Sequence, residues 1–121
     1  MNLSLNDKVA IITGGSDGIG KAAAISLARE GAKVAIIARN QEKIDLAVKE
    51  IKQITNGSVI GISADVSVES DVKDMVSTVN AEFGGVDILI NNAGTSSATT
   101  LEKMSNEDLK VDFGIKVYGA I

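Results

Sequence analysis

Short apolar runs rich in β-branched residues alternate along this chain with longer stretches of helical period, and no other feature constrains the fold as strongly. Such alternation is typical of repeated strand-helix units around a parallel sheet. We predict strands over residues 8–13, 33–38, 59–63 and 86–91. The chain is therefore predicted to be one α/β domain, a parallel sheet of about four strands with flanking helices.

The stretches between these strands carry the signals of three helices. The first is rich in Ala after Ile19, and Gly31 suits the left-handed C-cap that would end it. The next two each carry an apolar stripe at steps of three and four residues, which we predict to be buried, and Gly84 closes the third helix. The predicted stripes are Ile44, Ala47, Ile51 and Ile54, then Val68, Val72, Met75, Val76, Val79 and Phe83.

A further helix is predicted near the C-terminus. Ser105 and Asp108 have the spacing of a capping box, and apolar residues continue to Ile121. With the sheet ending at the fourth strand, that strand would present an unprotected apolar edge. We therefore expect the isolated chain to be a homo-oligomer, to be domain-swapped, or to bind a missing segment.

The charge and the residue types argue against several classes of partner. The 12 basic and 16 acidic residues give a formal net charge of -4, which provides no basic field for nucleic acid or an anionic membrane. The sequence shows no cationic and apolar leader and no run of about 18 apolar residues, so we expect a cytoplasmic protein. Since Cys and His do not occur, no metal site is expected.

The segment from Val9 to Gly20 has the pattern of a buried strand, a glycine-rich turn and the start of a helix. A pyrophosphate needs backbone N–H groups that approach its oxygens without a Cβ in the way, at the positive end of a helix. Tight strand-to-helix turns need glycine whatever they bind, but the strand-turn-helix context favours a phosphate site. The predicted contacts are Gly14, Ser16, Asp17, Gly18, Ile19 and Gly20.

The end of the second strand bears on the type of dinucleotide. For NAD, a carboxylate about 20 residues beyond the glycines is expected to hold the ribose hydroxyls. Here Ala38 stands at that position and Arg39 follows it. Because a guanidinium can pair with a 2′-phosphate, we predict NADP(H) in preference to NAD(H). The alternative is that Arg39 is a solvated loop residue and that both cofactors bind.

The fourth strand ends in the most specific motif of the chain, Asn91-Asn92-Ala93-Gly94. Two adjacent side-chain amides at a strand end can tie neighbouring loops to the sheet, and the two small residues leave room for a ribose. Together with the pattern T-G-x-x-x-G-x-G, which begins at Thr13, this motif resembles the short-chain dehydrogenase/reductase family over essentially all of the chain.

The resemblance implies a Rossmann-type doubly wound parallel sheet, with residues 1–121 as the N-terminal, NAD(P)-binding part of a longer domain. It also implies an oxidoreductase that transfers hydride between NADP(H) and a small-molecule alcohol or carbonyl substrate. Asp65 has an alternative role as a cap of the following helix, in competition with Ser67. The cofactor contacts implied by the family are Asp65 and Val66 for the adenine, and Asn92, Ala93 and Gly94.

The chain departs from the family pattern at the catalytic residues, which are Asn, Ser, Tyr and Lys, the last two as Tyr-x-x-x-Lys. The only tyrosine, Tyr118, is followed by Gly-Ala-Ile and belongs to no such motif. Lys116 stands at the position of the family Asn in the last helix, in ungapped register from Gly94. A second ammonium there would depress the pKa of the family's catalytic Lys. The alternative is that Lys116 only extends to solvent.

Three functions are compatible with the sequence. The first is a segment of an oxidoreductase whose Ser, Tyr and Lys lie beyond Ile121, so that this chain alone is inactive. The second is a non-catalytic NADP(H)-binding module. The third is a Rossmann-like protein for another ligand, such as a methyl-donor nucleoside, against which the motif from Asn91 to Gly94 argues.

Overall fold

A computed structural model of the protein describes residues 5–16 and 18–92, together with the backbone of residues 114–117. The elements alternate between strand and helix until the last two strands. They are β1 (Val9–Thr13), α1 (Gly18–Arg29), β2 (Lys33–Ala38), α2 (Gln41–Thr55), β3 (Val59–Ser63), α3 (Glu69–Phe83), β4 (Ile88–Asn91) and β5 (Gly114–Val117). Within the described residues, none of the helices has the length and apolar character needed to cross a bilayer.

The strands form one sheet in the order β3-β2-β1-β4-β5, and the first four are parallel. The chain moves outwards from β1 to β3 and then returns to the other side of β1 to form β4. This reversal creates a crevice between β1 and β4 at the carboxyl ends of the strands, where open α/β sheets bind their ligands. The predicted doubly wound parallel sheet is confirmed.

Alternate residues of the strands enter two separate cores. On one face, Ala10 and Ile12 of β1 pack in a cluster that includes buried residues of α1 and α2. On the other face, Val9 and Ile11 pack in a cluster with buried residues of α3. Since both faces of the sheet are covered, β1 is apolar along almost its whole length, and all five of its residues are buried.

The helix ends follow the local sequence. Asn40 is the N-cap of α2, and its side-chain oxygen accepts a hydrogen bond of 3.1 Å from the N–H of Lys43. Gly31 has φ +91° beyond the end of α1, and Gly84 has φ +82° at the end of α3, so both predicted glycine stops are confirmed.

Two residues of the predicted apolar stripes are not in the core. Ile54 is 44% exposed, because it lies in the last turn of α2, beyond the part that packs on the sheet. Val68 is 41% exposed, because it has extended backbone as the N-cap of α3 and lies outside the helix. Phe83 is half-buried, and the remaining stripe residues are buried as predicted.

The C-terminal part of the described chain forms a strand where a helix was predicted. β5 runs antiparallel to β4, with Lys116 opposite Leu89. The prediction of a helix through these residues is therefore wrong. The rest of that predicted helix, residues 105–113 and 118–121, lies outside the described residues.

The reason for the strand is visible in the residue pattern and in the sheet. Ile115 and Val117 are β-branched and alternate with Gly114 and Lys116, a two-residue period that suits a strand. The outer edge of β4 also carries backbone N–H and C=O groups that need partners, and β5 supplies them. The expectation that β4 is an unprotected edge is therefore wrong as well.

Close packing sets the distance between α2 and the sheet. Gly61, in the middle of β3, lies directly beneath the side chains of Ile44 and Val48. A Cβ built on Gly61 would collide with Ile44 and would lie only 2.9 Å from Cγ2 of Val48. The absence of a side chain at this strand position allows the helix to sit down on the sheet.

We expect truncation of a buried and of an exposed apolar side chain of α2 to change the stability of the protein by very different amounts. Ile51 is fully buried in the core, so Ile51→Ala should lower the free energy of unfolding by about 2–5 kcal/mol. Leu46 on the same helix is 69% exposed, so the matched control Leu46→Ala should change it by about 0.5 kcal/mol or less. Urea titration followed by circular dichroism measures both, and equal losses would contradict the packing of α2 described above.

Candidate functional site

The parallel register brings the ends of the first four strands to one edge of the sheet. Thr13, the last residue of β1, lies beside Ile37 on one side and Asn91 on the other. Ala38 at the end of β2 lies beside Ser63 at the end of β3. The segments that follow these strands are those that carry the predicted cofactor contacts. The fold therefore gathers the glycine-rich turn, Arg39, Asp65 and Asn92 along a single edge.

The first and last glycines of the turn pack it against the neighbouring backbone. Gly14 has φ +69°, a conformation that side chains disfavour, and a Cβ there would lie 3.2 Å from the carbonyl oxygen of Asn92. A Cβ on Gly20 would collide with the carbonyl oxygen of Gly14 and approach Nδ2 of Asn92 to 3.1 Å. Both glycines are therefore needed for α1 to start this close to β1 and β4.

The start of α1, in contrast, is open. Gly18 begins α1, is exposed, and would place a Cβ in free space. Ile19 beside it is 76% exposed. The first turn of α1 contains no acidic residue, and its free N–H groups carry a partial positive charge. An exposed backbone at a helix N-terminus fits the pyrophosphate of a dinucleotide.

A buried hydroxyl joins the turn to the asparagine motif. Thr13 is fully buried, and its Oγ1 donates to Oδ1 of Asn91 at 2.9 Å and accepts from the N–H of Asn92 at 2.9 Å. The role of Asn91 as a structural tie between loops and sheet is thereby supported by a specific contact. Sequence reasoning assigned no role to Thr13. The available signal was a polar residue at the end of an otherwise apolar strand, immediately before the glycine turn.

The tip of β2 carries an exposed cation and no carboxylate. Arg39 is exposed, and its backbone carbonyl accepts a hydrogen bond of 3.1 Å from Oγ of Ser63. The N–H of Ala64 donates to the carbonyl oxygen of Ala38 at 2.9 Å, which extends the pairing of β2 and β3. These two bonds fix the backbone of Arg39 beside the segment that follows β3.

Asp65 is held by several hydrogen bonds in that segment. Its Oδ1 accepts from the hydroxyl of Ser67 at 2.6 Å and from the N–H of Ser67 at 3.0 Å. Its own N–H donates to Oδ2 of Asp71 at 2.9 Å. The Ser67 hydroxyl is the main cause of a lowered pKa of the Asp65 carboxyl, followed by the Ser67 N–H; slight desolvation opposes them, and Arg39 adds a smaller attraction.

The capping alternative for Asp65 and Ser67 is not what the structure contains. The N-cap of α3 is Val68, and no side chain caps that helix. The carboxylate of Asp65 therefore remains at the carboxyl edge of the sheet, with Val66 buried beside it.

The structure does not describe every predicted site residue. Asp17, Ala93 and Gly94 lie outside the described residues. The backbone of Lys116 lies in β5 opposite Leu89, at the middle of β4, and not on a helix as predicted.

The fold and this edge define a Rossmann-type α/β protein with a glycine-rich turn at the topological switch point. The sequence model of the short chain dehydrogenase family matches residues 8–121, and the chain belongs to this family of oxidoreductases. An uncharacterised oxidoreductase of Staphylococcus epidermidis is 37% identical over 114 residues, which are 93% of this chain and 48% of that protein. The uncharacterised oxidoreductase YvrD of Bacillus subtilis is 36% identical over 121 residues, which are 100% of this chain and 45% of that protein.

The chain thus spans about half the length of the curated relatives it matches. Among solved structures, L-sorbose reductase from Gluconobacter frateurii, complexed with NADPH and L-sorbose, superposes with a TM-score of 0.75 at 40% identity. The match covers 78% of this chain and 36% of that one. NAD+-bound xylitol dehydrogenase superposes with a TM-score of 0.71 at 34% identity, covering 75% and 35% of the two chains. Family neighbours therefore occur with either nicotinamide cofactor.

We expect the Thr13 hydroxyl to be required for the junction between β1 and β4. Thr13→Val keeps the shape but leaves the N–H of Asn92 without its partner, which should cost about 1–3 kcal/mol of unfolding free energy. Thr13→Ser keeps the hydroxyl and should retain the hydrogen bonds. Amide hydrogen exchange at Asn92 provides the local measurement. Unchanged protection in Thr13→Val would contradict the contact.

Proposed function

We propose that this chain forms the NADP(H)-binding part of an oxidoreductase that transfers hydride between NADP(H) and a small-molecule alcohol or carbonyl compound. The observation that carries the proposal is the meeting of the glycine-rich turn and Asn92 at the crevice between β1 and β4, with Arg39 at the neighbouring strand end. Membership of the short chain dehydrogenase family supports the class of reaction. The bound nicotinamide would provide or accept the hydride.

In this proposal, different residues of the sheet edge bind different parts of the dinucleotide. The backbone of Gly18 and Ile19, with the hydroxyl of Ser16, receives the pyrophosphate at the start of α1. Asp65 accepts from the exocyclic amine of the adenine, and Val66 provides an apolar contact to the ring. The other proposed contacts are Gly14 and Gly20 through close packing of the turn, Asp17 beside it, and Asn92, Ala93 and Gly94 toward the ribose.

Preference for NADP(H) is proposed from the charges at the end of β2. A carboxylate in the position of Ala38 would repel a 2′-phosphate, and none is present. The exposed guanidinium of Arg39 can instead form charge-assisted hydrogen bonds with that phosphate.

A non-catalytic NADP(H)-binding module is the second candidate. The observation in its favour is that Lys116 stands where the resemblance implies the catalytic Asn of the family. The gene sequence after codon 121 discriminates between the two candidates, because an in-frame Ser and Tyr-x-x-x-Lys would support the oxidoreductase. A cytoplasmic location and a homo-oligomeric assembly belong to the same proposal; cell fractionation and analytical sedimentation test them.

Replacing Arg39 is the direct test of cofactor preference. Arg39→Ala should raise the dissociation constant for NADP+ by about tenfold or more, because charge-assisted bonds to the 2′-phosphate are lost. The dissociation constant for NAD+ should stay within about twofold. The matched control is Arg29→Ala, which removes the same charge from an exposed site at the far end of α1. Isothermal titration calorimetry with both nucleotides measures these constants.

Two results would count against the proposal. If Arg29→Ala weakens NADP+ binding as much as Arg39→Ala, the effect is one of total charge and Arg39 has no specific role. If the unmodified, folded chain binds neither NADP+ nor NAD+, the dinucleotide site itself is refuted.

A separate proposal concerns Lys116 at the position of the family Asn. It rests on sequence register alone, since the backbone of Lys116 lies in β5. In an active enzyme containing this chain, Lys116→Asn should move the basic limb of the pH dependence of kcat/KM to higher pH, because a like charge near the family's catalytic Lys is removed. An unchanged pH profile would eliminate this role.

A further inference from the structure

The short segment between β3 and α3 contains a side-chain pair, Asp65 and Ser67, at the carboxyl edge of the sheet. The hydroxyl and the backbone N–H of Ser67 both donate to one oxygen of Asp65, Oδ1, at 2.6 Å and 3.0 Å. Two donors from one residue fix both the position and the rotation of the carboxylate. Ser67 itself is exposed, so its hydroxyl makes this contact although water is available to it.

The backbone of Asp65 is fixed independently of this contact. Its N–H donates to Oδ2 of Asp71 at 2.9 Å, and its carbonyl oxygen accepts from the N–H of Val68 at 2.9 Å. The turn is thus closed by main-chain and Asp71 contacts, and α3 begins at Glu69 after the N-cap Val68, without a side-chain cap. The Ser67 hydroxyl is therefore not needed to start the helix.

The arrangement leaves the two carboxylate oxygens of Asp65 in different states. Oδ1 is saturated by Ser67, whereas Oδ2 receives no hydrogen bond from the described residues. The pairing of Ala38 with Ala64 and of Ser63 with Arg39 holds this segment at the carboxyl edge of the sheet. The Asp65 carboxylate is thus held in place, and its Oδ2 can accept a hydrogen bond at the edge where the dinucleotide is proposed to bind.

We propose that Ser67 is a positioning residue for adenine recognition, which holds Oδ1 of Asp65 so that Oδ2 accepts a hydrogen bond from the exocyclic amine of the cofactor. This inference rests on the proposed function. The lowered pKa of Asp65, for which the Ser67 hydroxyl is the first cause, is consistent with an acceptor that stays ionised. The consequence is base selectivity: hypoxanthine presents a carbonyl oxygen in place of the amine and would face the carboxylate with a second acceptor.

The test compares NADP+ with its deaminated analogue, nicotinamide hypoxanthine dinucleotide phosphate, by calorimetry on the full 121-residue chain. The unmodified chain should bind NADP+ about tenfold or more tightly than the analogue, because the charged acceptor loses its donor. Ser67→Ala should reduce that ratio by about threefold or more, mainly through weaker binding of NADP+. Ser67→Thr keeps the hydroxyl and should preserve the ratio.

Control variants separate positioning from a structural effect. Ser67→Val has nearly the shape of Ser67→Thr without the hydroxyl, and it should behave like Ser67→Ala. Ser70→Ala, another exposed serine in the first turn of α3, should leave the ratio unchanged. A loss that affects NADP+ and its analogue equally in Ser67→Ala, or an unchanged ratio, would overturn the role of Ser67. Failure of the unmodified chain to bind NADP+ would instead refute the proposed function.

Discussion

The hydroxyl of Thr13 connects the end of β1 to the end of β4, at the centre of the sheet. On one side the chain builds β2 and β3, and on the other it returns as β4, so the end of β1 is where the two sequences of strands meet. Thr13 is fully buried there and bonds to both Asn91 and Asn92. A buried hydroxyl without partners would be costly, so the glycine turn and the asparagine motif have to form together. The crevice between them depends on that pairing.

Much of the fold follows from local pattern because burial and backbone preference agree there. The apolar runs at β1 and β2 can only be satisfied between two layers of helices, and the helical stretches between them carry single apolar stripes. The prediction of burial is wrong at the ends of the stripes, at Ile54 and Val68, because helical periodicity does not show how far the neighbouring sheet extends. The C-terminal strand was missed because the pairing edge of β4 is a tertiary feature that the local residue pattern does not reveal.

The parts of the candidate site that depend on residue type alone could be predicted from the sequence. Glycines at the turn and the absence of a carboxylate at Ala38 can be read directly from the residues. Side-chain contacts between distant segments cannot, because the spacing in sequence does not reveal them. Thr13 and Asn91 are adjacent only through the parallel register of β1 and β4. The contact of Ser67 with Asp65 is local, but sequence alone left helix capping as an equal alternative.

The glycine in the middle of β3 links the interior of the domain to the edge that carries the candidate site. Gly61 lets α2 rest on the sheet through Ile44 and Val48, and α2 starts at Gln41, two residues after Arg39. A side chain at Gly61 would displace α2 from the sheet, and Arg39, which precedes the helix by two residues, would move with it. Under the proposed function, a residue that does not touch the dinucleotide would thereby influence cofactor preference through the spacing between helix and sheet.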